Sequence, residues 1–142
     1  GVLSHTMSLN VLDFKINGRP IFEPAFNSLY AGQFGVPVAF LSGDDAACRE
    51  AKENFGEIET VITKYAFGRT CAVSKSIEVV CNEIRASVER ALRNRDKWCL
   101  FTMKPPYNME VRVKTDEEGG EKTVTATSDS LEVIMEKFWE NL

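Results

Sequence analysis

Histidine is the scarcest of the chemically useful side chains in this sequence. His5, in the segment Ser4-His5-Thr6-Met7, is the single histidine among 142 residues. Enzymes that use histidine for both metal ligation and acid–base work usually need two or more. A lone histidine near a terminus is most often an exposed bystander, so composition alone gives His5 little weight as a catalytic residue.

Carboxylates stand where helices are predicted to begin. Glu23, between Phe22 and Pro24, lies at the N-terminus of a predicted helix. A carboxylate at this position usually complements the helix dipole; the alternative is that it binds zinc together with other ligands that converge there. Asp44 and Asp45 follow a predicted strand, at the place where α/β sheets bind ligands. The pair suits capping of the next helix equally well, and capping is the favoured interpretation.

Lys64 and Arg69 are the candidate cations. They flank a predicted loop in which a cation could bind a substrate carboxylate, although charged loop residues are common for other reasons. The acidic segment from Asp116 to Glu121 contains two glycines suited to a turn, and we expect a solvated hairpin tip there. No P-loop and no GxSxG, HExxH or GxGxxG motif occurs.

The cysteines form neither a CxxC pair nor a cluster with histidine, which excludes a zinc ribbon and a thioredoxin-like site. A chain of this size and apolar content needs no disulfide framework. We therefore expect free buried thiols at all four positions, which are Cys48, Cys71, Cys81 and Cys99.

The overall composition limits the class of protein. The 17 Lys and Arg fall short of the 21 Asp and Glu, which argues against nucleic acid as a partner. No apolar run approaches the roughly 18 to 20 residues of a membrane span, and the first 20 residues lack a secretory pattern. The sequence predicts a single cytoplasmic domain over 1–142, with no membrane partner.

Hydrophobic periodicity predicts alternating strands and helices. Strands are expected at 10–16, 36–41, 58–64 and 98–103, with the second and third buried, and an antiparallel pair at 109–114 and 122–127. Helices are expected at 23–34, at 46–54, from Ser74 to about residue 93, and after a cap at Ser128 or Asp129. The pattern predicts a layered α/β/α fold with a mixed sheet, a C-terminal antiparallel strand pair and a closing helix.

Several short motifs, taken in order, resemble one known family. They are Gly-Val-Leu-Ser-His-Thr-Met at 1–7, Ile-Asn-Gly-Arg-Pro at 16–20 followed by Glu23, and Ser-Gly-Asp-Asp at 42–45 followed by Lys64 through Arg69. In order and spacing they resemble the second half of the DppA-type zinc D-aminopeptidases.

The resemblance implies a cytoplasmic, homo-oligomeric metallopeptidase that removes D-amino acids from the N-terminus of short peptides. Glu23 matches a ligand of the family's zinc pair, and His5 matches the catalytic histidine. The other family ligands lie in an N-terminal half with no counterpart after Gly1, so the isolated chain is expected to be inactive. The alternative is a non-catalytic truncated relative that serves as an oligomerisation or ligand-binding domain.

Overall fold

A computed structural model describes all 142 residues, which group into two compact units. The mixed-sheet unit contains Gly1–Ser4 and Ala31–Phe101, and the antiparallel-sheet unit contains His5–Tyr30 and Thr102–Leu142. The predicted α/β class is confirmed, but the strands divide between two sheets, so the first strand does not join the second and third.

The strands are β1 (Val11–Ile16), β2 (Arg19–Pro20), β3 (Phe40–Asp44), β4 (Glu59–Ala66), β5 (Ala72–Ser74), β6 (Tyr107–Lys114) and β7 (Glu121–Ser128). The α-helices are α1 (Glu23–Gln33), α2 (Asp45–Phe55), α3 (Ile77–Arg93) and α4 (Leu131–Trp139), and a 3-10 turn follows α3 at Arg95–Lys97. No helix is long and apolar enough to cross a bilayer.

The antiparallel-sheet unit has the strand order β2-β1-β6-β7. The predicted C-terminal strand pair and closing helix are confirmed as β6, β7 and α4. Strand β6 alternates strictly between buried and exposed residues, the pattern of a sheet with one solvated face. The core of the antiparallel-sheet unit contains three phenylalanines from different elements. The ring centroid of Phe14 lies 5.7 Å from that of Phe26 and 5.2 Å from that of Phe138.

The mixed-sheet unit has the strand order β3-β4-β5, with β3 parallel to β4 and joined to it through α2. The bounds of the strand predicted at 36–41 are wrong, because β3 runs Phe40–Asp44. The expectation that this strand is buried is also wrong, since only Asp44 in it is buried. The strand predicted at 98–103 does not form. Instead Val38 and Cys99 exchange two backbone hydrogen bonds of 2.8 and 2.9 Å as an isolated bridge.

Helix α3 is amphipathic, yet little of its apolar stripe is buried. It begins at Ile77 behind the cap Ser76, and only Ser87 and Ala91 are buried, whereas Ile77 is 83% exposed. A polar contact explains the buried serine, because the Ser87 hydroxyl donates to Glu59 of β4 at 2.6 Å. The apolar stripe therefore does not form a buried face over most of the helix.

The four thiols are free, as predicted, but the expectation that they are buried holds for Cys48 alone. Its thiol donates to the carbonyl of Val61 at 3.3 Å, and burial raises its pKa. Cys71 and Cys81 are exposed and Cys99 is half-buried, because the loop and the helix face that carry the first two remain uncovered.

We predict that Phe138→Ala destabilises the protein by about 3–5 kcal/mol, because Phe138 is only 1% exposed and its removal leaves a cavity beside Phe14. The matched control is Val133→Ala on the same helix, where the side chain is 40% exposed and the loss should stay below about 1 kcal/mol. Chemical denaturation followed by circular dichroism measures both. Equal losses would show that the aromatic cluster is not the core of this unit.

Candidate functional site

His5 lies in a segment without helix or strand, and its side chain is exposed. Two residues of this segment have left-handed backbone conformations, Leu3 with φ of 49° and Met7 with φ of 61°. Such conformations are uncommon outside glycine and persist only where surrounding contacts enforce them. The backbone on both sides of His5 is therefore held by its neighbours.

Glu23 is the first residue of α1 and is half-buried. Its Oε2 accepts a hydrogen bond of 2.8 Å from the backbone N–H of Met7. Within the antiparallel-sheet unit, this hydrogen bond links Glu23 to Met7, which lies two positions after His5. A carboxylate can accept at both oxygens, so this bond is compatible both with metal ligation through Oε1 and with favourable interaction with the helix dipole.

Asp44 and Asp45 both bind backbone N–H groups. Asp44 is 8% exposed; its Oδ1 accepts from Ala47 at 2.8 Å, which caps α2 as predicted, and its Oδ2 accepts from Val2 at 2.7 Å. Burial acts to raise the pKa of Asp44, but the hydrogen bonds from Ala47 and Val2 outweigh it and hold that pKa below its ordinary value. Asp45 accepts from the N–H of Ala66 at 2.9 Å.

Arg69 also contacts the segment that precedes His5. Its Nη1 donates to the carbonyl of Ser4 at 3.1 Å, and its own carbonyl accepts from the N–H of Leu3 at 2.6 Å. Lys64 is half-buried on β4, where it is the register partner of Asp44. From the sequence, both cations were candidates for a substrate carboxylate, with an ordinary charged loop position as the alternative. The contacts of Arg69 with residues 3 and 4 could not be predicted, because hydrogen bonds to a distant backbone leave no local pattern.

The acidic segment is the hairpin tip that was predicted, since Asp116, Glu117, Glu118 and Gly119 are exposed between β6 and β7.

A cavity of about 420 Å³ lies in the mixed-sheet unit and is lined in part by Lys52, Lys75 and Arg90. Two of these cations are neutralised, because Lys75 pairs with Glu83 at 2.7 Å and Arg90 with Glu59 at 2.9 Å. The cavity therefore has weak attraction for an anion.

The residues of this chain do not by themselves fit a zinc site. No three His, Cys, Asp or Glu side chains come together in a group that could hold a metal ion, whereas a catalytic zinc usually takes three protein ligands. Glu23 can supply one ligand at most. A zinc ion bound at Glu23 would need further protein ligands that are not gathered around Glu23 here.

Comparisons with known proteins give one consistent result. A family model described as D-aminopeptidase, peptidase M55, matches residues 1–133. A D-aminopeptidase of Bacillus subtilis (strain 168) is 35% identical over 97 residues, which cover 68% of this chain and 35% of that relative. The solved structure of the Zn-dependent D-aminopeptidase DppA from Bacillus subtilis, a self-compartmentalizing protease, matches with a TM-score of 0.82 at 25% identity. That match covers 97% of this chain and 57% of the solved one, so the chain spans only part of the relatives' length.

We predict that Glu23→Ala accelerates amide hydrogen exchange at Met7, because its N–H loses the carboxylate that accepts it. Thr125→Ala, at an exposed position on β7 of the same unit, is the control and should leave the Met7 amide unchanged. Exchange followed by NMR resolves the single amide. Unaltered protection in Glu23→Ala would mean that another contact holds the segment.

Proposed function

The chain belongs to the D-aminopeptidase family, peptidase M55, and from this we propose that it is part of a zinc-dependent aminopeptidase that removes N-terminal D-amino acids from short peptides. The observation that carries the proposal is the hydrogen bond between Met7 and Glu23. It joins the two regions of the chain that match the family's catalytic histidine and one of its metal ligands.

His5 is the proposed catalytic residue. Imidazole can take up and release a proton near neutral pH, which suits a residue that assists a water molecule or a leaving amine during peptide hydrolysis. Its exposed position leaves it accessible to a peptide. The left-handed turns at Leu3 and Met7 restrict the backbone that presents it, and restricted geometry is what positioning a reactive group requires.

Glu23 is the proposed metal ligand. When zinc is bound it supplies a Lewis acid and an activated water. The hydrogen bond from Met7 to Oε2 has the character of the outer contacts that orient ligating carboxylates. Because no ligand group is complete here, we propose that this chain corresponds to the C-terminal half of the relatives and that the other ligands come from their remaining part.

We predict that His5→Ala and Glu23→Ala each lower kcat/KM for D-Ala peptides by roughly 10²- to 10⁴-fold in the full-length protein, since each removes a group used at the reacting centre. Thr125→Ala, at an exposed position on β7 of the same unit, is the control and should retain activity. Turnover and zinc content are measured together for every variant. Unchanged turnover in both site variants would refute the assignment.

The alternative, a non-catalytic oligomerisation or ligand-binding domain, is favoured by one observation. The mixed-sheet unit exposes apolar residues that follow one another from the end of β4 to the start of α3, with Phe67 at 71%, Val73 at 59% and Ile77 at 83%. Large apolar side chains left exposed are typical of an interaction surface when they share one patch, and three of them fall within this short stretch of the chain. The solved relative is self-compartmentalizing, and we propose that this chain likewise forms a homo-oligomer.

We predict that this chain sediments as an oligomer and that Phe67→Ser with Ile77→Ser shifts it toward monomer, because both side chains would lose an apolar contact. Leu9→Ser, at a 61% exposed leucine in the other unit, is the control and should leave the distribution unchanged. Analytical ultracentrifugation gives the masses. A monodisperse wild-type monomer would contradict the proposal.

A further inference from the structure

The backbone that follows His5 forms an uncommon turn. The N–H of Ser8 donates to the carbonyl of Thr6 at 2.7 Å, and the residue between them, Met7, has a left-handed φ of 61°. A hydrogen bond between residues two positions apart, closed around a residue of positive φ, makes the rarer and more strained kind of γ-turn. This γ-turn and His5 belong to the same unit, the antiparallel-sheet unit.

Other contacts in this unit hold the γ-turn at its centre and at its end. The turn leaves the N–H of its central residue outside the ring, and here that N–H, of Met7, donates to Glu23 Oε2 at 2.8 Å. Ser8 then begins a second turn, because its carbonyl accepts from the N–H of Val11 and its Oγ from the N–H of Asn10, each at 3.2 Å. Val11 is the first residue of β1. The γ-turn is therefore fixed to the start of α1 and to the start of β1.

The side chain of Met7 is half-buried, so packing is an alternative reason for a methionine at this position. Packing does not explain the backbone, because a left-handed φ disfavours every residue with a Cβ. Strain of this kind persists only where the surrounding structure enforces it, and it is common at functional sites. Here it lies two positions after the proposed catalytic residue and in contact with the proposed metal ligand.

We propose that Met7 is a positioning residue for His5 and acts through its backbone. Its left-handed turn directs its N–H at Glu23, and the same turn fixes Thr6, to which His5 is joined. The backbone next to His5 is thus held relative to Glu23 before any metal or peptide binds. The catalytic importance of this positioning rests on the proposed function of His5, whereas the positioning itself can be tested without any activity.

Two substitutions at Met7 separate the role of its backbone from that of its side chain. Met7→Gly and Met7→Val both remove the thioether and both keep the N–H that donates to Glu23. Glycine adopts a positive φ at no steric cost, whereas a β-branched residue is a genuine outlier there. A role of the turn predicts that valine disturbs His5 and glycine does not, whereas a role of the side chain predicts that both do. Thr125→Val, at an exposed position on β7 of the same unit, is the control for an added valine.

Two NMR signals report on the turn and on His5. The Ser8 amide closes the γ-turn, and the Cε1–Hε1 signal of the single histidine belongs to His5 alone in tag-free protein. Met7→Val should lower the exchange protection of the Ser8 amide roughly tenfold and move or split the His5 signal. Met7→Gly and Thr125→Val should leave both at their wild-type values.

A wild-type His5 signal in Met7→Val, or a displaced one in Met7→Gly, would overturn the proposal. If Met7→Val does not fold, Met7→Gly still decides, because its signal stays in place only if the turn, and not the side chain, positions His5.

The kinetic consequence is tested in the full-length protein with D-Ala peptides. Met7→Val should lower kcat roughly 10- to 100-fold with little change in KM, because misplacement of a reacting group affects the chemical step. Met7→Gly should retain the wild-type kcat, and a wild-type kcat in Met7→Val would overturn the catalytic part. If the full-length protein hydrolyses no such peptide, the proposed function fails, and the NMR signal of His5 still decides the positioning.

Discussion

Residues 2 to 7 form no helix or strand, so the hydrogen bonds that hold their backbone come from residues distant in the sequence. An unpaired backbone donor that is removed from water costs free energy comparable to a lost hydrogen bond. Val2 and Met7 find carboxylates, at Asp44 and Glu23, and Leu3 finds the carbonyl of Arg69. Within the antiparallel-sheet unit Glu23 holds the chain two residues after His5, and within the mixed-sheet unit Asp44 and Arg69 hold residues 2 and 3.

Each acceptor is itself fixed by the fold of its own unit. Asp44 ends β3 and caps α2, so the junction between a parallel strand and its crossover helix determines where its second oxygen points. Glu23 opens α1, whose Phe26 packs against Phe14 of the antiparallel sheet. Each core thus holds the part of residues 2–7 that belongs to its own unit, and loops held by a rigid scaffold are common at functional sites.

Much of this could be predicted from the sequence, where local rules suffice. The Asn17-Gly18 turn, the alternation in β6 and the helix-opening carboxylates follow from backbone preferences and periodicity, and all are observed. The placement of β3 was not predictable, because the apolar run at 36–41 gives no sign that Val38 pairs with Cys99 outside the sheet. The hydrophobic periodicity of α3 is typical of a helix with one buried face. Periodicity alone does not show whether another element covers that face, and here most of it is exposed. The contacts of Asp44 and Arg69 with residues 2–4 span 42 and 65 positions, and no periodicity encodes them.

The central claim is that Glu23 and the His5 segment belong to one metal-dependent site whose other ligands lie outside these residues. The most direct measurement is anomalous diffraction at the zinc absorption edge from crystals of the full-length protein. The account predicts a zinc peak about 2.0–2.2 Å from a carboxylate oxygen of Glu23, with the hydrogen bond from Met7 retained. A zinc ion coordinated without Glu23, or a Glu23 side chain turned away from the His5 segment in the metal-bound protein, would contradict it.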